Sequence, residues 1–108
     1  MKVRFSSEAR RYIAREGAYL RERSSVGAAR FHALVARARR QVETFPESGY
    51  TESIVAMAGA RRIAIEEYLF DYDLNDDVAI ILVIRHSRNT PTIPIEDDAD
   101  YEDPADRR

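Results

Sequence analysis

Two alternating segments in the second half of the chain constrain the fold more than any other feature. Apolar and polar residues alternate from Tyr68 to Leu74, and an apolar run extends from Val78 to Ile84. A period of two is typical of β-strands, and the Asn-Asp-Asp sequence between the segments is typical of a turn. The pattern therefore predicts an antiparallel β-hairpin in this part of the chain.

The register of this hairpin is predicted from the aromatic residues of its first strand. If a three-residue loop places Leu74 opposite Val78, then Tyr68 lies opposite Ile84 and the aromatic side chains share the core face. The same register predicts two acid–base pairs, Glu67 with Arg85 and Glu66 with His86. It also leaves three apolar residues on the other face: Leu69, Ile81 and Val83. An uncovered apolar face of this kind predicts a partner-binding surface.

The first half of the chain predicts a strand followed by two helices. Val3 and Phe5 alternate with basic residues, and Ser6 or Ser7 is suited to cap the following helix. Each helix has apolar residues at helical spacing, namely Ala9, Tyr12, Ile13, Tyr19 and Leu20 in the first, and Phe31, Leu34, Val35, Ala38, Val42 and Phe45 in the second. Among them, Tyr12, Tyr19, Phe31 and Phe45 are predicted to belong to the core. A polar break at residues 21–25 separates the helices, and Pro46 ends the second.

Together these segments predict an α+β fold, with an N-terminal strand, an antiparallel helical hairpin and then an antiparallel meander of about three strands. The additional strand contains Ile63 and Ile65 and is joined to the hairpin by a turn or bulge at residues 66–67. Residues 53–57 are predicted to form a short strand or an irregular lead-in. We expect residues 1–90 to form one domain and residues 91–108 to be a proline-containing acidic tail, disordered when the protein is alone.

Charge is divided unevenly along the chain. Residues 96–108 carry seven acidic and two basic residues, a net charge of −5, whereas residues 1–95 carry 15 basic and 12 acidic residues, a net charge of +3. Lys2 is the only lysine, so nearly all the basic residues are arginines, which favour planar contacts with carboxylates and phosphates. The mildly basic domain therefore suits an acidic partner or a polyanion.

Composition also excludes several classes of protein. The chain has no cysteine, which excludes disulfides and thiolate metal sites and is consistent with the cytoplasm. The longest apolar run, residues 78–84, is too short to cross a bilayer, and the N-terminus lacks the apolar core of a signal peptide. Asp71 and Asp73 have no further ligand at matching spacing, so we expect no metal and no cofactor.

In order and spacing, these segments resemble the ParE/RelE superfamily of toxins from bacterial type II toxin–antitoxin pairs. The resemblance extends from Val3 to Asn89. It is carried by the strand-to-helix start at residues 3–9, the end of the second helix at residues 45–49, the segment 59–62, the Tyr-Leu-Phe-Asp-Tyr strand at residues 68–72, and the last strand with its Arg-His-Ser-Arg end at residues 81–88. It implies a RelE/ParE-like fold, a role in growth arrest and plasmid stabilisation, and a cognate antitoxin as partner.

The superfamily divides by activity, and this chain departs from the nuclease pattern. RelE-like members cleave mRNA on the ribosome, with cationic residues around the scissile phosphate and a general acid or base. They typically have an arginine where this chain has Leu69, and they tend to carry lysines, of which this chain has none after Lys2. These absences favour the ParE-like branch, whose members bind DNA gyrase and are not nucleases.

The resemblance thus implies a cytoplasmic gyrase inhibitor that is not an enzyme. The predicted target-binding residues are Arg62, Arg85, His86 and Arg88, and the predicted antitoxin-binding residues are Leu69, Ile81 and Val83. One alternative is a ribosome-dependent mRNA endonuclease with His86 as general acid or base and Arg88 and Arg62 holding the phosphate. A second alternative is an inactive family member that serves as a binding module.

Overall fold

The computed structural model describes residues 1–51 and 60–89. Its elements are β1 (Lys2–Phe5), α1 (Ser7–Arg21), α2 (Ser25–Thr44), β2 (Ala60–Ile65), β3 (Tyr68–Asn75), β4 (Val78–His86) and a short 3₁₀-helix (Ser87–Asn89). The strands form one sheet in the order β1-β4-β3-β2, with β1 parallel to β4 and the other neighbours antiparallel. The predicted α+β fold is therefore confirmed. The predictions for residues 53–57 and for the tail at residues 91–108 concern parts of the chain outside the described residues.

Serine side chains start both helices. The Ser6 hydroxyl accepts a hydrogen bond from the Ala9 N–H at 3.0 Å and donates one to the Leu82 carbonyl at 2.8 Å. The Ser24 hydroxyl accepts from the Gly27 N–H at 3.0 Å in the same way. Each cap satisfies a backbone donor that has no partner within its helix. Ser6 also fixes the start of α1 to β4.

The core lies between the two helices and one face of the sheet, which we call the inner face. Phe31 of α2 is buried at the centre, and its ring centroid lies 5.0 Å from that of Tyr68 on β3. The prediction that Phe45 belongs to this core is wrong, because its side chain is 62% exposed. The backbone leaves the helical conformation at Phe45, with φ −131° and ψ 71°. Helical spacing therefore no longer determines where that side chain points.

The predicted hairpin register is wrong in two places. The loop between β3 and β4 has two residues, so Asn75 faces Val78, and Asp76 adopts a left-handed conformation with φ 54° that makes this turn possible. A β-bulge then inserts Leu82 as an extra residue in β4, so that Tyr72 faces Ile81 whereas Asp71 faces Val83.

The bulge changes which residues of β4 reach the core. It reverses the alternation between Ile81 and Ile84, so both side chains lie on the inner face and are buried. The prediction that Ile81 lies on the exposed face with an antitoxin-binding role is therefore corrected. The predicted cross-strand acid–base pairs are also wrong, because Leu69 faces Arg85 and Tyr68 faces His86.

The two outer edges of the sheet are partly occupied. On the free side of β1, the Val3 carbonyl accepts a hydrogen bond from Arg39 at 3.3 Å and the Phe5 carbonyl accepts one from Arg10 at 2.7 Å. On the free side of β2, the backbone N–H and C=O of Arg62 pair with those of Tyr50. These contacts satisfy backbone groups that a sheet edge would otherwise present to other chains.

Candidate target-binding surface

The end of β4 places its basic residues and its histidine on two sides of the sheet. Tyr68 points into the core, so His86, which faces it, lies on the inner face. Arg85 lies on the outer face, the side of the sheet that α1 and α2 do not cover. Arg88 follows in the 3₁₀-helix and is exposed. These three residues therefore surround the end of the strand and do not line one face.

His86 has a defined place in the structure. The backbone N–H of Arg88 donates a hydrogen bond to its Nδ1 atom at 3.1 Å, and the imidazole lies edge-on to the Tyr68 ring with centroids 5.2 Å apart. An Nδ1 atom that accepts a hydrogen bond carries no proton, so the neutral ring has its proton on Nε2. The side chain thereby holds the turn that presents Arg88.

Arg62 differs from the other predicted target-binding residues because it is buried and paired. Its Nε lies 2.7 Å from Oδ1 of Asp71 and its Nη2 lies 3.1 Å from Oδ2, and the two residues face each other across β2 and β3. Arg62 is 8% exposed and Asp71 is 1% exposed. The hydrogen bond to Asp71 raises the pKa of Arg62 further above its ordinary value. The structure therefore separates Arg62 from Arg85 and His86 and gives its guanidinium a fixed partner.

Arg85 differs from Arg62 because part of its guanidinium has no described partner. Its Nε atom is buried and has no hydrogen-bond partner among the described residues, where the guanidinium also forms no ion pair. Leu69 faces it from β3, and Val83 precedes it on the same face of β4; both are half-buried. A buried donor without an acceptor costs about 1–3 kcal/mol, so this position favours a partner that supplies one.

The turn between β2 and β3 is tied to α2. Glu67 accepts two hydrogen bonds from Arg30, at 2.6 and 2.8 Å, and Glu66 lies 3.3 Å from Arg37. The bidentate contact with Arg30 is the main reason that the pKa of Glu67 falls from 4.5 to about 2. The same contact raises the pKa of Arg30 above its ordinary value. The carboxylates of the two glutamates therefore contact helix α2, while the backbone carbonyl of Glu67 accepts a hydrogen bond from the Ser87 N–H just beyond β4.

The Glu67–Arg30 pair predicts a pH dependence of stability. Because folding lowers the pKa of Glu67, its contribution is complete above pH 4.5 and disappears as the pH falls towards 2. Glu67→Gln is expected to lower the free energy of unfolding at pH 7 and to make no difference near pH 2. Urea denaturation at several pH values measures this difference, and Arg30→Gln should give the same profile. A difference that stays constant from pH 7 to pH 2 would contradict the assignment.

A buried carboxyl on α1 was missing from the predicted sites. Glu16 is 3% exposed and accepts a hydrogen bond from the Tyr68 hydroxyl at 2.7 Å. Burial, followed by this contact, raises the pKa of Tyr68. The sequence contained a signal for this position, since Glu16 follows Tyr12 and Ile13 at spacings of four and three, within the apolar stripe of the helix.

Two kinds of site have no candidate in the described part of the chain. No group of three histidine, aspartate or glutamate side chains in residues 1–51 and 60–89 is arranged to hold a metal ion. Within the same ranges, no helix is both long enough and apolar enough to cross a membrane.

Comparison with known proteins agrees with this geometry. The model of the family described as the ParE toxin of the type II toxin–antitoxin system, parDE, matches residues 3–91. The chain belongs to the ParE toxin family. This toxin is therefore the toxic component of a type II toxin–antitoxin system, and its family implies an antitoxin as partner. The match extends from the second residue of β1 to beyond the 3₁₀-helix. Comparison with curated proteins finds no match.

Proposed function

We propose that this toxin arrests growth by binding DNA gyrase in the cytoplasm, without acting as an enzyme. The observation that carries the proposal is the match of the ParE toxin family to residues 3–91. Leu69 supports it, because RelE-like nucleases typically have an arginine at this position. The half-buried apolar side chains of Leu69 and Val83 beside Arg85 also favour a protein-binding surface over a phosphate-cleaving one.

The proposed target contacts are the side chains around the end of β4. Arg85 and Arg88 supply positive charge on two sides of the strand end, and His86 holds the turn between them. The proposed role of Arg62 is indirect. Its guanidinium is hydrogen-bonded to Asp71, and this pair stabilises the contact between β2 and β3. Arginine is enriched among residues that dominate protein interfaces, which makes Arg85 and Arg88 the first residues to test.

The antitoxin is proposed to neutralise the toxin by covering the outer face of the sheet. Leu69 and Val83 are half-buried on this face, and beside them lies Arg85, whose Nε donor has no acceptor in the part of the chain that the structure describes. An extended or helical segment of the antitoxin would bury the two apolar side chains and bring a carboxylate to Arg85. All three residues would then have a partner. Such a segment also blocks Arg85 from contact with the target.

One observation favours the mRNA endonuclease as the second candidate. The hydrogen bond from the Arg88 N–H to Nδ1 of His86 holds the imidazole against the backbone of an exposed arginine two residues away. A ribonuclease needs a general acid or base close to a cation that holds the phosphate. Arg62 is less suited to this role than Arg88, since Asp71 already occupies its planar donors.

Pulse labelling distinguishes the two candidates. After induction of the toxin without its antitoxin, thymidine incorporation is expected to fall within minutes while methionine incorporation continues. An early fall in methionine incorporation would instead support the endonuclease, and His86→Ala should then abolish the effect. If neither falls, the chain is an inactive family member that acts as a binding module.

A purified system tests the proposed contact residue directly. In a gyrase supercoiling assay, Arg85→Gln is expected to raise the toxin concentration needed for half inhibition about tenfold, which corresponds to about 1.4 kcal/mol of binding free energy. Arg11→Gln is the matched control, because Arg11 is an exposed arginine on α1, which packs on the face of the sheet opposite to Arg85. Equal inhibition by the two variants would remove Arg85 from the proposed target contact.

A further inference from the structure

The half of the outer face formed by β1 and β4 is apolar at its centre and basic at its margins. Lys2 and Arg4 on β1 stand in register beside Val78 and Ile80 on β4. Further along β4 lie Val83 and then Arg85, on the same side of the sheet. We call this surface the basic–apolar strip, and its members are Lys2, Arg4, Val78, Ile80, Val83 and Arg85. Two carboxylates of β3 face the strip: Asp73 lies opposite Ile80, and Asp71 lies opposite Val83 but is already paired with Arg62.

The strip favours an acidic occupant with apolar side chains. Lys2 and Arg4 are exposed, and the three apolar residues are half-buried, so none of them is fully covered in the described structure. Arg85 adds a specific requirement, because its buried Nε atom has no acceptor among the described residues. A carboxylate at this point supplies a charge-assisted hydrogen bond, which is stronger than one between neutral groups.

The chain itself contains a segment with this composition. Residues 90–108 lie outside the described part, and they follow directly after the 3₁₀-helix that begins two residues beyond Arg85. Their sequence has Ile93 and Ile95 at a spacing of two, followed by seven acidic residues between positions 96 and 106. The family match ends at residue 91, so most of this segment is additional to the part that the family shares.

The length of the segment is sufficient to reach the whole strip. Ile80, the neighbour of Arg4, lies six residues before the end of β4, which is roughly 20 Å along a strand. From Asn89 to Glu96 there are seven residues, which span roughly 23 Å when extended. Pro91 and Pro94 favour an extended backbone at the residues that precede them. A segment that reverses direction after the 3₁₀-helix therefore brings its carboxylates to both basic margins.

We propose that residues 93–106 of this chain dock on its own basic–apolar strip and cover Arg85. The docked segment overlaps the surface that we propose for the antitoxin at Val83 and Arg85, and it competes with both antitoxin and target for Arg85. This regulatory consequence rests on the proposed function, whereas the docking itself does not. The toxin then carries an internal competitor, and partner binding requires its displacement.

A spin label in the segment tests the docking on the full-length chain. The protein has no cysteine, so Ala99→Cys introduces a single site for a nitroxide label. In the ¹⁵N-labelled protein at low salt, the label is expected to broaden the amide signals of outer-face residues such as Arg4, Ile80 and Val83. The broadening should decrease as salt is raised from 0.05 to 1 M, because the Debye length falls to about 3 Å.

A matched variant isolates the role of the acidic residues. With five carboxylates neutralised (Asp97→Asn, Asp98→Asn, Asp100→Asn, Glu102→Gln and Asp103→Asn), the outer-face broadening should be lost in the same labelled protein. Arg85→Gln should reduce it at Val83 in particular. These readouts need neither gyrase nor antitoxin, so a failure of the docking and a failure of the proposed function are observed separately.

Three results would overturn the proposal. Broadening that is absent or uniform means that the segment does not dock and that the strip remains free for the antitoxin. Broadening centred on exposed arginines of the helices, such as Arg11 and Arg40, means that the segment binds elsewhere. Broadening in unlabelled ¹⁵N protein mixed with spin-labelled ¹⁴N protein means that the occupant is the segment of a second copy.

Discussion

Asp71→Ala is expected to lower the free energy of unfolding by about 3–5 kcal/mol, since it removes one partner of a buried ion pair. Arg62 is 8% exposed and would keep its charge without the two hydrogen bonds that Asp71 now accepts. The loss should appear as a lower urea midpoint with an unchanged m-value. Because the pair joins β2 to β3, the variant also tests how far this edge of the sheet depends on one contact.

Two further variants separate the ion pair from general effects of substitution. Asp73 lies on the same strand and the same face as Asp71 but is half-exposed. Asp73→Ala should therefore change the free energy of unfolding by no more than about 0.5 kcal/mol. The double variant Arg62→Met with Asp71→Leu should recover most of the stability lost in Asp71→Ala, because it leaves no unpaired buried charge. If Asp71→Ala costs no more than Asp73→Ala, the pair does not stabilise the sheet as proposed.

Phe31→Ala is expected to be equally damaging, at about 3–5 kcal/mol. The ring is 1% exposed and lies at the centre of the aromatic cluster, with its centroid 5.0 Å from Tyr68 and 6.4 Å from Tyr12. Its removal leaves a cavity between α2 and the sheet that the surrounding rings fill incompletely. Thermal and urea unfolding both measure the loss.

Phe45→Ala is the matched control for Phe31. Both are phenylalanines of the same apolar stripe in the sequence, but Phe45 is 62% exposed at the end of α2. Its replacement should change the free energy of unfolding by no more than about 0.5 kcal/mol. A comparable loss in the two variants would show that Phe45 is covered in solution and that the exposed position is not its resting state.

The order of elements was predictable because its causes are local. Ser6 and Ser24 cap helices through contacts with residues three positions away, and the apolar stripe of α2 is repeated from Phe31 to Val42. The register of the hairpin was not predictable in the same way. It depends on the left-handed conformation of Asp76 and on the bulge at Leu82, and neither is determined by hydrophobic alternation.

The candidate site was predictable in part, for a related reason. The sequence predicts basic residues at the end of β4, because the apolar run ends at Ile84 and Arg85 comes next. The partners of Glu66 and Glu67 depend on where α2 crosses the sheet, which is a tertiary property. For the same reason, the sequence did not distinguish the buried, paired Arg62 from Arg85, whose Nε atom has no acceptor among the described residues.

The occupied edges of the sheet limit how this toxin meets other proteins. Arg10 and Arg39 use backbone acceptors of β1, and Tyr50 pairs with the backbone of Arg62 on β2. A strand from another chain therefore cannot extend the sheet without first displacing these contacts. Recognition by β-augmentation is disfavoured, and so is edge-to-edge growth into β-aggregates. Toxin released from its antitoxin is accordingly expected to stay dispersed, and to discriminate between partners through the side chains on its faces.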